Sequence, residues 1–360
     1  MKTYNALQKI AQNNLLEMKS CLFELAPFFQ PANPTVETFD ETPLSMIIGE
    51  HPSDYSVSPL MWNAENYLAE KPGLFLPFDI PSSRREDFIG LLDYVFAAGK
   101  SRFRVLAVTN PYKVDAYRHF QALQAAQPER IIISGDAAKI GAVNMILIDP
   151  DNVFHLFNSD GRGMARAVEN YIGGSLAGKK VVILGAGGAA RAILHEICGR
   201  VSAAPGGSVV LFNRTFGKAR ELVEGFASDF PDLPLRAERM ENLTAFYEQD
   251  ASLAVRPDVL ISSITAGDPL SDYRIYQALP PRALIVDANY GVNSVFSRNA
   301  AIAGRSDLNI YDGRGMVVEG YVIPSKLTAQ FWGREVPDNV YQRIAGIFGY
   351  GVKGDWPASI

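Results

Sequence analysis

The chain has 360 residues, 48% of them hydrophobic and 20% charged, with a formal net charge of −5. That length accommodates two domains, and the composition excludes a disordered chain; the acidic balance argues against nucleic acid or an anionic membrane surface as a partner. Two cysteines, Cys21 and Cys198, lie far apart in no metal or redox spacing, which points away from a disulfide framework and toward a reducing, cytoplasmic compartment.

In chain order, Leu7, Ala11, Leu15, Met18, Leu22 and Leu25 recur at helical spacing, and Pro27, Pro31 and Pro34 then break the pattern. Residues 1–42 are therefore expected to be an amphipathic helix and connector, packed on the domain or on a second copy of the chain, with a homodimer as a candidate assembly. No signal-peptide pattern opens the chain, and no apolar stretch reaches the length of a membrane span. The pattern then alternates. Strands are expected at 44–48, 74–78, 103–108, 130–133, 143–148 and 153–157. Helices are expected at 60–68, 85–98, 114–125 and 161–171. Repeated βα units predict an α/β domain over 43–172 with a largely parallel sheet. A second domain is expected over 173–312, with strands at 181–184 and 208–212 and near Leu235, Val259 and Ile285. Residues 313–360 read as helices returning toward the first domain. The expected architecture is an N-terminal α/β substrate domain plus a C-terminal Rossmann domain, with a cleft between them for a small molecule.

The second domain opens on Val181-Val182-Ile183-Leu184 followed by Gly185-Ala186-Gly187-Gly188-Ala189-Ala190. Strand, glycine turn and helix together form a dinucleotide-binding fingerprint. Gly185 permits the tight turn, Gly187 lets the backbone approach a diphosphate, and Ala190 keeps the helix close to the sheet. The alternative is a plain glycine-rich turn. The next strand ends in Asn213-Arg214-Thr215, with Lys218 a turn later. An NAD site usually places a carboxylate here. Two cations suit a ribose 2′-phosphate instead, so NADP is the expected cofactor.

Two segments of the first domain carry candidate chemistry. Lys113 follows the strand end Val108-Thr109-Asn110-Pro111-Tyr112 and opens a helix, at the end of the dipole that disfavours its charge. Asp160 stands in Asn158-Ser159-Asp160-Gly161, again between strand and helix. Brought together, the two form an acid/base pair that can exchange a proton with a hydroxyl or carbonyl oxygen while hydride moves at carbon. As residue types they read equally well as a structural ion pair or as two separate surface charges. Ser56, Ser58, Thr109 and Asn144 offer neutral groups suited to a polyhydroxylated ligand. The histidines His51, His119, His155 and His195 show no metal-ligand spacing, and no metal is expected.

Over residues 44–320 the chain resembles the shikimate/quinate dehydrogenase family. The resemblance rests on Tyr55-Ser56-Val57-Ser58-Pro59, on Val108 to Lys113, on Gly141-Ala142-Val143-Asn144 and on Asn158 to Gly161. It continues through the unchanged Gly-Ala-Gly-Gly-Ala-Ala and Asn-Arg-Thr motifs, Asp287 to Tyr290, and Asp312 to Met316. It implies Lys113 as the catalytic residue with Asp160 as its partner. It implies Ser56, Ser58, Thr109, Asn144 and Tyr290 as substrate contacts. It also implies an NADP site at Gly185, Ala186, Gly187, Gly188, Ala189, Asn213, Arg214, Thr215, Lys218 and Gly315. There are departures. Ala107 stands where the family has Asn, Tyr55 where it has His, and Met145 where it has Thr. Ser262-Ser263-Ile264 replaces Asn-Ala-Thr, and the expected Gln falls on Gly320 beside Glu319.

The expected function is reversible NADP-dependent reduction of a ring ketone of a cyclic hydroxy acid, of the 3-dehydroshikimate to shikimate type, within aromatic amino acid biosynthesis. Two alternatives stand beside it. One is a dehydrogenase for quinate, aminoshikimate or another cyclohexane acid, and the other is a nucleotide-binding regulator without chemistry.

Overall fold

Short β-branched and aromatic runs, each followed by an amphipathic helical stretch, dictate alternating strands and helices. In the computed structural model the residues described are 43–71, 73–97, 103–249, 257–264, 273–290 and 295–351. The leading helix and connector expected over 1–42, with Cys21, lie outside them. The chain divides into two units, one reaching Ser159 and resuming at Val322, the other running Asp160–Tyr321. Each unit is built on a six-stranded sheet.

In the first unit the order of elements is β1 (Leu44–Gly49), α1 (Pro52–Tyr55), α2 (Ser58–Leu68), β2 (Leu74–Asp79) and α3 (Arg85–Ala97). It continues through β3 (Phe103–Val108), α4 (Lys113–Ala126), β4 (Ile131–Ile133), α5 (Gly135–Ile140), β5 (Met145–Ile148) and β6 (Phe154–Phe157). Across the sheet the strands run β2-β1-β3-β5-β6-β4. The β1/β2, β1/β3 and β4/β6 pairs are parallel. β5 is antiparallel to both β3 and β6, so this sheet is more mixed than its sequence pattern suggests. The cause is a tight reversal between β5 and β6. Asp149 Oδ1 accepts from the N–H groups of Asp151 (3.0 Å) and Val153 (2.9 Å), and Asn152 takes a φ of 63°. Five connecting residues, 149–153, cannot carry the crossover that a parallel pair needs.

Ile48, Phe78, Phe88, Leu106, Tyr112, Phe120 and Phe154 fill one face of this sheet and are fully buried. Each such side chain contributes about 1.5–3 kcal/mol by leaving water. Phe88 stacks on Tyr112 with ring centroids 4.4 Å apart. The Tyr112 hydroxyl donates to the carbonyls of Ile80 (2.9 Å) and Pro81 (2.8 Å), so its polar end is satisfied inside the core. On α2, Asn63 holds the Phe75 backbone by both its N–H and its C=O, at 2.9 Å each. A C-terminal segment also belongs to this unit. Ser325 donates to the buried carboxylate of Glu65, whose other oxygen holds Lys71.

The second unit begins with α6 (Asp160–Ile172), β7 (Lys180–Leu184), α7 (Gly188–Val201), β8 (Ser208–Asn213), α8 (Phe216–Ala227) and β9 (Leu235–Arg239). It continues through α9 (Leu243–Gln249), β10 (Val259–Ser262), α10 (Tyr273–Ala278), β11 (Leu284–Asp287), α11 (Phe296–Ile302) and β12 (Asn309–Tyr311). The helix α12 (Arg314–Phe331) starts here and carries the chain back to the first unit, where α13 (Asp338–Ile347) follows. The strand order is β12-β11-β10-β7-β8-β9 with every pair parallel. This is the doubly wound order whose reversal falls between β7 and β10. Helices cover both faces, so the β7 and β8 cores read as unbroken apolar runs.

The division between units falls before α6, not after it. The reason is steric. A Cβ on Gly161 would lie 2.2 Å from the Ala192 carbonyl of α7. A Cβ on Gly163 would lie 2.5 Å from the Met316 carbonyl and 3.0 Å from Gly320 Cα. Bare backbone on α6 thus lets it dock against α7 and the start of α12. Gly163→Ala is expected to destabilise the protein by about 1–3 kcal/mol through overpacking, read as a lower urea midpoint. Burial also pushes the Tyr112 and Tyr276 phenols up to about 12. The native state therefore holds these protons more tightly than the unfolded chain, and stability should fall as pH rises above 10. A pH series of unfolding midpoints checks this.

Candidate functional site

The C-terminal ends of β1 and β3 lie side by side because Gly49 has no side chain. A Cβ there would sit 2.2 Å from Thr109 Cγ2. The Thr109 N–H donates to the Ile48 carbonyl (2.9 Å), and the Glu50 N–H donates to the Asn110 carbonyl (2.9 Å). Tyr55 and Thr109 share a hydrogen bond of 3.1 Å between their hydroxyls. Burial, reinforced by the nearby Asp79 and Glu50 carboxylates and opposed by Thr109, pushes the Tyr55 phenol up, so Tyr55 stays neutral. Ser56 closes α1. Its Oγ accepts from the N–H of Ser58, the first residue of α2, at 3.2 Å.

Lys113 is the first residue of α4. Its carbonyl accepts the Val143 N–H at 2.9 Å, which ties the Gly141–Asn144 loop to the lysine's backbone. The next residue, Asn144, is buried and ties the same loop to the end of β6. Its Oδ1 accepts the Ser159 N–H at 2.9 Å, and its Nδ2 donates to Ser159 Oγ at 3.1 Å. Asn158 Nδ2 adds a bond to the Ala142 carbonyl at 3.1 Å. The β3 end, the 141–144 loop and the β6 end are thus one hydrogen-bonded block. It leads directly into Asp160, which is buried and begins α6. Within the first unit, Tyr55 is bonded to Thr109 and Asn144 to Ser159, the Val108 N–H donates to the Asn144 carbonyl at 2.8 Å, and Lys113 is joined through its backbone.

Two of the sequence departures form a pair. Ala107 on β3 faces Met145 on β5 in register, and both are buried. A small residue opposite a large one fills the space where the family carries two polar side chains. Gly320 contributes the backbone against which Gly163 packs. Beside it, Glu319 is buried and accepts from Arg166 Nε at 2.7 Å.

In the second unit Gly185 has φ 105°, a left-handed conformation that favours glycine. A Cβ there would meet Ser263 Oγ at 2.7 Å. Gly187 is the N-cap of α7, has no heavy atom within 4 Å of a Cβ position, and no side chain caps the helix. Open space in front of uncapped N–H groups, with Gly188 and Ala189 in the first turn, fits a diphosphate. Ala190 is fully buried, as close helix–sheet packing requires. Asn213 Nδ2 donates to the Thr215 carbonyl at 2.9 Å, shaping the turn that carries Arg214, Thr215 and Lys218, all three exposed. Sequence reasoning missed Arg239. It ends β9, pairs in register with Asn213, and its guanidinium lies 5.1 Å from the Phe216 ring centroid. It is a third cation at this strand end, and only the β8/β9 register reveals it.

Asn289 links the ends of β10 and β11, with Nδ2 donating to the Ile264 carbonyl (2.7 Å) and to Asp287 Oδ1 (2.9 Å). Tyr290 follows it, half-buried, and Gly315 lies buried in the first turn of α12. Ser262 Oγ is buried without a hydrogen-bond partner among the described residues. Among those residues no group of three or more His, Cys, Asp or Glu side chains could hold a metal ion, and no helix is long and apolar enough to cross a membrane.

No protein-family model matches the chain. A shikimate dehydrogenase (NADP(+)) of Moorella thermoacetica is 37% identical over 186 residues, 52% of this chain and 55% of that protein. In that match the chain spans about half the length of its relative. A shikimate dehydrogenase (NADP(+)) of Methylobacillus flagellatus is 31% identical over 278 residues, covering 76% of this chain and 88% of that protein. Solved structures share the fold. Shikimate 5-dehydrogenase from Listeria monocytogenes, in complex with shikimate and NAD, superposes with a TM-score of 0.62 at 22% identity over 86% of this chain and 96% of that one. Quinate dehydrogenase from Corynebacterium glutamicum, in complex with NAD, gives 0.61 at 19% identity over 85% and 98%. The extent of the Methylobacillus match, together with motifs that run in family order, means that the chain belongs to the NADP-dependent shikimate dehydrogenase family.

Proposed function

We propose that the protein reversibly reduces the ring ketone of a cyclic hydroxy acid of the 3-dehydroshikimate type, with NADPH as hydride donor. The observation that carries this reading is the Asn144-centred block, which fastens the Lys113 backbone and the residue before Asp160 to one loop. In this reading Lys113 Nζ protonates the ketone oxygen as the carbon is reduced, and takes the proton back from the hydroxyl in reverse. Asp160 holds the ammonium and contacts the substrate. Ser56, Ser58, Thr109, Asn144 and Tyr290 bind its hydroxyls and carboxylate. NADPH, when bound, supplies the hydride. The turn at Gly185, Ala186, Gly187, Gly188 and Ala189 receives its diphosphate, with Gly315 nearby in the family pattern. Asn213, Arg214, Thr215 and Lys218, joined by Arg239, receive the 2′-phosphate.

A second reading keeps the chemistry and changes the substrate to quinate, an aminoshikimate or a related cyclohexane acid. The observation favouring it is the buried apolar Ala107–Met145 pair, next in sequence to Val108 and Asn144, with Tyr55 on Thr109, at positions where the resemblance implies other side chains. An assay of NADP+ reduction over shikimate, quinate and their amino analogues separates the two. Shikimate ahead by orders of magnitude supports the first reading, and a preferred analogue supports the second. Tight NADPH binding with no turnover of any of them supports a regulator instead.

Lys113→Ala should lower turnover about 10²–10⁴-fold, the usual contribution of a positioned acid/base group, while NADPH affinity stays unchanged. Full turnover in that variant removes the assigned role. Arg214→Ala should cost about 10–100-fold in NADP over NAD preference, as expected for one charge-assisted bond to phosphate. The ratio of kcat/KM values with the two cofactors measures it.

A further inference from the structure

The first unit has a cavity at the opposite end of its sheet from Thr109 and Lys113. Its volume is 130 Å³ and its lining includes Trp62, Phe75, Arg104, Trp332 and Arg334. Arg104 is the second residue of β3, and Thr109 follows the last. Five residues of extended strand put about 16 Å between them. The cavity therefore lies apart from the residues assigned to the ring substrate.

Its chemistry is unusual in two ways. The charge is one-sided. Lys71 at the rim is neutralised by Glu65. Among the described residues, Arg104 and Arg334 have no such carboxylate. Arg104 Nη1 is buried without a hydrogen-bond partner among the described residues, and both burial and the neighbouring Arg334 work against the Arg104 charge. A buried guanidinium nitrogen left unpaired is costly, and an anion placed between the two arginines would satisfy it. The walls, in turn, are aromatic. The Arg104 guanidinium lies over the Trp332 ring, and Trp332 is fixed by its Nε1 bond to the Ile148 carbonyl at 3.2 Å. Trp62 stacks on Phe75 with centroids 5.5 Å apart. A void of this size takes about one six-membered ring.

We propose that this cavity binds a small aromatic carboxylate, with the carboxylate on Arg104 and Arg334 and the ring between the tryptophans. Two of the chain's three tryptophans line it, so intrinsic fluorescence reports occupancy. The test titrates the full chain with benzoate, benzamide and inorganic phosphate in the presence of saturating shikimate, following tryptophan emission and the thermal midpoint. Benzoate should give a saturable emission change and a higher midpoint, with benzamide and phosphate at least tenfold weaker. Arg104→Gln and Arg334→Gln should each weaken benzoate at least tenfold, with NADP+-linked turnover in the absence of benzoate within twofold of the parent protein. Arg334 is exposed, so its variant folds even if the Arg104 variant does not. Equal binding of benzamide overturns the charge requirement, and equal binding of phosphate overturns the aromatic one. Unchanged benzoate affinity in the Arg334 variant, or loss of the signal when shikimate is added, overturns the site itself.

Discussion

The Asn144 carboxamide and the backbone bond beside it set the geometry of the first unit's candidate site. Val143 N–H reaches the Lys113 carbonyl, and one residue later Asn144 holds Ser159 by both its N–H and its hydroxyl. Asn144 is buried, so each of these bonds would leave an unpaired polar group if broken, at a cost of about 1–3 kcal/mol. Three loop ends with no sequence proximity are thereby held as one piece. Lys113 belongs to it through its backbone carbonyl.

The second unit solves a different problem with glycine. Gly185 turns the chain where only a residue without a side chain fits beside Ser263, and Gly187 leaves open space before α7. The fit to a dinucleotide is therefore a matter of shape first and charge second. The charge sits at the next strand end, on Arg214, Lys218 and Arg239. The departures from the family pattern fall into classes once they are seen in three dimensions. Gly320 lies in the helix contact with Gly163. Ala107 and Met145 answer each other across a strand pair. Tyr55 retains a polar bond to Thr109. The first lies in the second unit, and the others lie in the first unit beside the candidate site residues Thr109 and Asn144.

Much of this was legible before any coordinates. The apolar runs of β7 and β8 and the glycines after them specify strand, turn and helix by local rules alone. Lys113 and Asp160 stand at strand-to-helix junctions that the sequence marks with Pro111 and Gly161, and Asn144 stands in the loop that leads into β5. Other features are too short to show a period or depend on partners distant in the chain. Helix α5 is bracketed by Ser134, whose Oγ accepts from the Ala137 N–H at 3.2 Å, and by Gly141 at φ 67°. It is too short to show a period. Strand β12 spans only Asn309–Tyr311 and has the same difficulty. The β5–β6 reversal is marked by the turn residues Pro150-Asp151-Asn152, whereas the antiparallel pairing of β5 with β3 is set by the sheet. Arg239 and the Ala107–Met145 pair become meaningful only through strand register, because their partners are set by the sheet and not by spacing.

The most direct test of the block is the kinetics of Asn144→Ala with a ring substrate and NADP+. If Asn144 holds Lys113 and the approach to Asp160 in working register, kcat/KM for the ring substrate falls at least a hundredfold while the dissociation constant for NADP+ is unchanged. Turnover equal to that of the parent protein, or a loss confined to NADP+ binding, would contradict the account.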